Sequence, residues 1–224
     1  MFIIVFYQPK GNIRALSSAG QSCGLIIRRS QVQILEGPKN RMRTFIALEP
    51  GQEFLEKLLT SLLPLKEKYP HFRWIPKESL HITLAFLGEL DEGLLPLVKE
   101  STETSLGAGE INALGTRLFT LPPRRDANVL ALGFEKGGDE ITSLSDKIKK
   151  NLKNRGITLG GTERKTFIPH LTVARKGREP LQLLKEEHVI TVQGAFRFLG
   201  VYKSELLPQG PRYTALASYP LALN

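Results

Sequence analysis

The pentapeptide His81-Ile82-Thr83-Leu84-Ala85 returns 89 residues later as His170-Leu171-Thr172-Val173-Ala174. In an extended strand alternate side chains share a face. Each copy therefore presents an imidazole and a hydroxyl on one side, and turns Ile82 and Leu84, or Leu171 and Val173, into a core. Chance explains the recurrence poorly. With fourteen threonines in 224 residues, a histidine has Thr two places on about 6% of the time, and two such hits among four histidines arise about 2% of the time. Two unrelated strands, each with a surface histidine, are the alternative.

The chain between and around the copies repeats as well. From Met42 the order reads strand (44–48), helix (51–67), first His-Thr strand, helix (91–106), strands (111–120 and 128–134), helix (139–156), second His-Thr strand (167–175), short helix (180–187), strands (189–204 and 212–219). Pro50-Gly51, Pro122-Pro123 and Gly137-Gly138 punctuate it. Phe54, Leu55, Leu58, Leu59, Leu62, Leu63 and Leu65 recur at helical spacing in the first long helix, and Ile141, Leu144, Ile148 and Leu152 follow one face of the third. Paired strands with helices beside them predict an α+β fold of two similar lobes over 42–224, each an antiparallel β-sheet with flanking helices. An active-site cleft between the lobes would set the two histidines face to face.

Residues 1–41 have no such period, and are expected to be a disordered leader or a start-site artefact. Gln31-Val32-Gln33-Ile34-Leu35 back-translates to CAG GTT CAA ATC CTG, which contains the T-arm sequence typical of a tRNA gene. On that ground the leader would arise from a start codon placed over a neighbouring tRNA gene, with the protein beginning at Met42; the alternative is a basic RNA-binding arm. The segment also inflates the charge. Its six Lys/Arg against one Glu leave 25 basic and 21 acidic residues in 42–224, although the whole chain carries +9. An anionic partner is expected, but net charge alone is thin support for it.

Cys23 is the single cysteine, so an internal disulfide framework is excluded and a reducing, cytoplasmic setting is expected. The run Phe2–Tyr7 is too short to span a membrane and lacks the flanks of a secretory signal. No HxH, HExxH or CxxC spacing suggests a metal, and no glycine-rich loop a nucleotide cofactor. What remains is acid–base chemistry. Histidine's ordinary pKa near 6.5 lets one imidazole be neutral and the other protonated, and a threonine hydroxyl beside each can donate to an oxygen gaining charge. That inventory suits a phosphodiester and requires no cofactor and no metal.

The paired H-x-T-x motif resembles the 2H phosphoesterase superfamily, in particular its RNA 2′,3′-cyclic phosphodiesterases, also called 2′-5′ RNA ligases. The flanks Arg73-Trp74-Ile75-Pro76, Phe86-Leu87-Gly88-Glu89, Phe167-Ile168-Pro169 and Arg175 share the resemblance, as do Ser204, Gly210 and Tyr213 in the closing segment. It implies metal-independent hydrolysis of a 2′,3′-cyclic phosphate at RNA or oligonucleotide ends to a 2′-phosphomonoester. His170 would serve as base and His81 as acid, Thr83, Thr172 and Arg175 would hold the phosphate, and Phe86 would stack on the terminal base or belong to the core. Arg124 and Arg125 are candidate phosphate contacts or solvated loop residues. Where relatives commonly carry Trp, this chain has Ala131. ATP-independent 2′-5′ ligation and non-catalytic binding of RNA ends are the competing functions, and the protein is expected to be a monomer.

Overall fold

In the computed structural model the described residues are 27–28, 31–32, 40–107, 109–122, 127–160, 167–177, 189–208 and 210–221. The chain divides into two units, 1–39 and 40–224. In the first, β1 (Ile27–Arg28) pairs antiparallel with β2 (Gln31–Val32); Cys23 lies outside the described residues.

The second unit runs β3 (Arg41–Pro50), α1 (Gln52–Lys68), β4 (Arg73–Trp74), β5 (Ile82–Asp91), α2 (Leu95–Glu103), β6 (Ile111–Leu121), β7 (Val129–Lys136), α3 (Gly138–Asn154), β8 (His170–Arg175), β9 (Val189–Leu207) and β10 (Gly210–Pro220). The expected order of long elements holds. The short helix at 180–187 and Arg124–Arg125 fall outside the described residues. The two-residue strand β4 was not expected, because two residues carry no period to read.

The sheet departs from the expected separation into two. Its strands form one antiparallel path, β4-β8-β7-β6-β9-β3-β5, with β10 on β9. The physical reason is the length of β9, 19 residues. Val189–Phe196 pairs with β6 of the second half, and Phe196–Lys203 with β3 of the first. One strand thus serves both halves. α1 buries Phe54, Leu58, Leu62 and Leu65 and packs against β9; α3 buries Ile141, Leu144, Ile148 and Leu152 and packs against β5, β6 and β7. Fully burying each such side chain contributes about 1.5–3 kcal/mol. The expected alternation is present in both motif strands, with Ile82, Leu84, Leu171 and Val173 all 1% exposed or less.

β5 carries a bulge beside its motif. The β3–β5 register passes from Ala47 opposite Thr83 to Ile46 opposite Ala85 and skips Leu84, which frees a residue from the ladder and re-aims the strand. Ser145 on α3, fully buried, donates from Oγ to the Leu84 carbonyl at 2.7 Å. Further along β5, Gly160 N–H donates to the Phe86 carbonyl at 2.7 Å. The backbones approach so closely there that a Cβ on Gly160 would stand 2.7 Å from Gly88 N, and Gly88 itself has φ +67°. Replacing Ser145 by Ala leaves a buried carbonyl without its partner, at a cost of about 1–3 kcal/mol. Urea unfolding should show a lower midpoint for Ser145→Ala with an unchanged slope.

Candidate functional site

His81 stands immediately before β5 and His170 opens β8. Each imidazole is anchored in the same way, Nδ1–H donating to the carbonyl two residues back: Ser79 at 2.8 Å for His81, Ile168 at 2.7 Å for His170. A carbonyl only accepts, so this bond fixes the proton on Nδ1 and leaves Nε2 as the working nitrogen. His81 Nε2 lies 3.2 Å from Thr83 Oγ1, and the hydroxyl donates to it when the ring is neutral. The Thr172 hydroxyl has no hydrogen-bond partner among the described residues.

Both histidines, both threonines and Arg175 line one cleft of about 450 Å³. The contacts that hold its walls together cross between the sequence halves. β4 pairs with β8, Arg73 opposite Arg175 and Trp74 opposite Ala174, and Ile75 N–H donates to the Val173 carbonyl at 2.9 Å. The chain leading into His81 is thereby an edge of the strand that holds His170. Arg73 and Arg175 both line the cleft, and neither has a carboxylate partner among the described residues. Like charges directly opposed across strands are unfavourable on their own, so an anion between them is welcome. Arg212 is also in the lining but already bonded to Glu205 at 2.9 Å.

The surroundings of the two rings differ. His81 packs against Phe45 at 5.0 Å and edge-on to Tyr213 at 5.2 Å between ring centroids, whereas His170 has Phe119 at 6.5 Å. Burial pushes the His81 pKa down to about 4, with the positive charges of Arg175 and His170 acting in the same direction and the bond to Ser79 opposing them. His81 is therefore neutral at pH 7.

Phe86 is the expected site residue that the fold does not bring into this cleft. It pairs with Phe45 across β3, and the Arg43 guanidinium lies over its ring at 5.0 Å; it is absent from the lining. Tyr213 and Trp74 are the aromatic side chains that do line it. Arg73 and Tyr213 belonged to the resemblance without a role. Residue spacing gave no signal for either, since one sits on a two-residue strand and the other reaches the cleft through a distant hairpin. Ala131 is fully buried and lies opposite Thr172 in the β7–β8 ladder. Among the described residues no three His, Cys, Asp or Glu side chains gather so as to hold a metal ion, and no helix is long and apolar enough to cross a membrane.

Comparison with known proteins is consistent across sequence and structure. A family model described as LigT like Phosphoesterase matches residues 53–125. An Archaeoglobus fulgidus protein named RNA 2′,3′-cyclic phosphodiesterase is 30% identical over 182 residues, covering 78% of this chain and 98% of its own. One of the same name from Thermotoga maritima is 26% identical over 78% of this chain and 93% of its own. A crystal structure of a Thermus thermophilus protein superposes with a TM-score of 0.67 at 22% identity, over 80% of this chain and 98% of that one. E. coli LigT complexed with 3′-AMP gives 0.64 at 19% identity, over 81% and 99%.

The depressed pKa of His81 has a measurable sign. Between about 4 and its ordinary value near 6.5, the unfolded chain binds a proton at this residue that the folded chain does not. The contribution of neutral His81 to stability is thus complete above pH 6.5 and is lost as the pH falls toward 4, by up to about 3 kcal/mol. Denaturant titrations at pH 7, 5.5 and 4 should show this slope in the wild type and a shallower one in His81→Asn.

Proposed function

The chain belongs to the LigT-like phosphoesterase family, and from that membership we propose that it hydrolyses the 2′,3′-cyclic phosphate of RNA ends or nucleotides to a 2′-phosphomonoester. The observation that carries the reading is the sharing of one cleft by two Nδ1-anchored histidines, two threonines and an opposed arginine pair. His170 Nε2 takes a proton from water as the oxygen attacks phosphorus. The bond from phosphorus to the ribose 3′ oxygen breaks, and His81 Nε2 delivers a proton to that oxygen. Thr83, Thr172, Arg73 and Arg175 hold the non-bridging oxygens. The residues supply both protons' traffic and the charge, so the reaction is metal-independent.

The acid role asks something of His81, whose lowered pKa makes it neutral at pH 7. A phosphate monoanion at about 4 Å, with an effective dielectric of 20, favours the imidazolium by about 4 kcal/mol. That equals about three pKa units, enough to bring a group from about 4 to near neutrality. The substrate therefore charges its own acid. Binding of 2′,3′-cyclic AMP to the His170→Ala variant, followed by calorimetry at pH 7 in buffers of different ionisation enthalpy, should show uptake of a sizeable fraction of a proton. No uptake would exchange the two histidines' roles.

The activity itself is checked with 2′,3′-cyclic nucleotides in EDTA. Wild-type turnover should persist, and His81→Ala and His170→Ala should each lose about 10²- to 10⁴-fold in kcat. The kcat profile should be bell-shaped in pH. Full activity in either variant would overturn the acid–base assignment, and loss of wild-type activity in EDTA would overturn metal independence.

A further inference from the structure

Three rings that touch one another stand beside His81. Phe45 lies against the imidazole at 5.0 Å between centroids, with the planes 30° apart. β9 sets Tyr202 directly opposite Phe45, and residues so opposed share one face of the sheet; their rings stack at 5.3 Å and 20°. Tyr213 closes the group edge-on, 5.0 Å from Phe45 and 5.2 Å from His81. The three rings, His81 and Glu49 line a cavity of about 350 Å³, so His81 borders this space as well as the phosphate cleft. The imidazole is shielded on this side only while Phe45 keeps its place.

A phenylalanine ring has no polar atom to anchor it, so its place depends on what is packed behind it. Tyr202 is anchored. Its ring folds back along β9 over Gly200, where a Cβ would stand within 2.7 Å of both the Tyr202 Cζ and its hydroxyl oxygen. Gly200 is paired with Ala47 of β3, and this small pair forms the bed in which the phenol lies. At the far end the hydroxyl donates to Glu49 Oε1. Phe45, Ala47 and Glu49 alternate along β3 and so share a face; the tyrosine starts opposite the first and ends on the last. Burial, and then the bond and charge of Glu49, raises the Tyr202 pKa and keeps the donated proton in place.

We propose that Glu49 and Tyr202 are positioning residues for His81: the carboxylate pins the phenol across Gly200, and the pinned ring holds Phe45 against the imidazole. The proposal deepens the hydrolase reading, on which it rests for the acid role of His81. A proton donor has to keep its line to the departing oxygen within about 0.5 Å and 10–20°. The bond from Nδ1 to the Ser79 carbonyl is a single pivot about which the ring can swing, and the stacked rings remove that freedom. The other charged groups around His81 are His170, Arg175, Arg73 and Arg212 in the cleft, and Lys77 and Glu78 on the turn before it. Glu49 alone belongs to the tether, and the sign of its charge separates two effects. Loss of a nearby negative charge lowers the pKa of an imidazole, whereas water admitted beside the ring raises it.

The test is a histidine titration followed by NMR in the folded protein, with the exposed His71 as internal reference. Glu49→Ala should raise the His81 pKa from about 4 by about half a pH unit or more, against the sign of its lost charge. Tyr202→Phe should do the same, and Tyr202→Leu, which removes the ring, should carry the value further toward 6.5. Glu49→Gln retains an acceptor oxygen for the phenol and should leave the value at or below that of wild type. With 2′,3′-cyclic AMP as substrate, Tyr202→Leu should lose roughly tenfold in kcat with KM little changed, because the groups that hold the phosphate are untouched. A His81 pKa that is unchanged or lowered in either Glu49→Ala or Tyr202→Phe overturns the proposal, and these two decide alone should Tyr202→Leu fail to fold. If wild type turns over no cyclic nucleotide, the hydrolase reading falls, and the titration still decides whether the pair positions His81.

Discussion

Everything at the cleft depends on backbone hydrogen bonds exchanged between the two halves of the sequence. Ile75 N–H to Val173 O, at 2.9 Å, and the two-residue ladder beside it fasten the approach to His81 onto the strand of His170. In return α3 sends Ser145 to the Leu84 carbonyl, and the segment after it sends Gly160 N–H to the Phe86 carbonyl. A pair of side chains on separately closed sheets would drift by the sum of their motions. Here each motif strand is an edge for a segment of the other half, so the distance between the imidazoles is set by ladder geometry. The proposed proton-transfer roles would need that positional tolerance.

The same exchange explains which parts of the protein can be read from its sequence. Strand alternation at Ile82-Thr83-Leu84 and Leu171-Thr172-Val173, and the helical stripes of α1 and α3, are local periodicities imposed by burial on one face. They identify the elements and pair the histidines. β4 is too short to have a period, and the skip at Leu84 leaves no mark on the alternation of the motif itself. Phe86 shows the consequence. Strict alternation sets it on the core face with Ile82 and Leu84, but downstream of the bulge it pairs with Phe45 beneath Arg43, and its ring does not line the cleft. The joining of two sheets into one by β9 was equally hidden, because a strand of 19 residues looks the same whether one partner flanks it or several.

Aromatic packing was the other silent ingredient. Phe45 stacks on Tyr202 at 5.3 Å and meets Tyr213 edge-on at 5.0 Å, and His81 leans on the same cluster. These rings come from β3, β9 and β10, more than 160 residues apart at the extremes. They are also the floor that removes water from His81. The desolvation that lowers its pKa is therefore a long-range product of the fold, although the residue announces itself in a pentapeptide.

Two copies of one motif would make two chemically equal histidines if nothing else acted on them. Their backbone anchors are indeed alike, Nδ1 to the carbonyl two residues back in both. The difference lies in what surrounds Nε2: an aromatic cluster and a threonine hydroxyl at His81, a single more distant ring at His170. Acid–base catalysis by a pair requires opposite protonation states at one pH, and neighbouring like groups cannot both be charged cheaply. Burial of His81 lowers its pKa and breaks that symmetry. Internal duplication thus supplies two matched anchors, and unequal packing makes the two imidazoles chemically distinct.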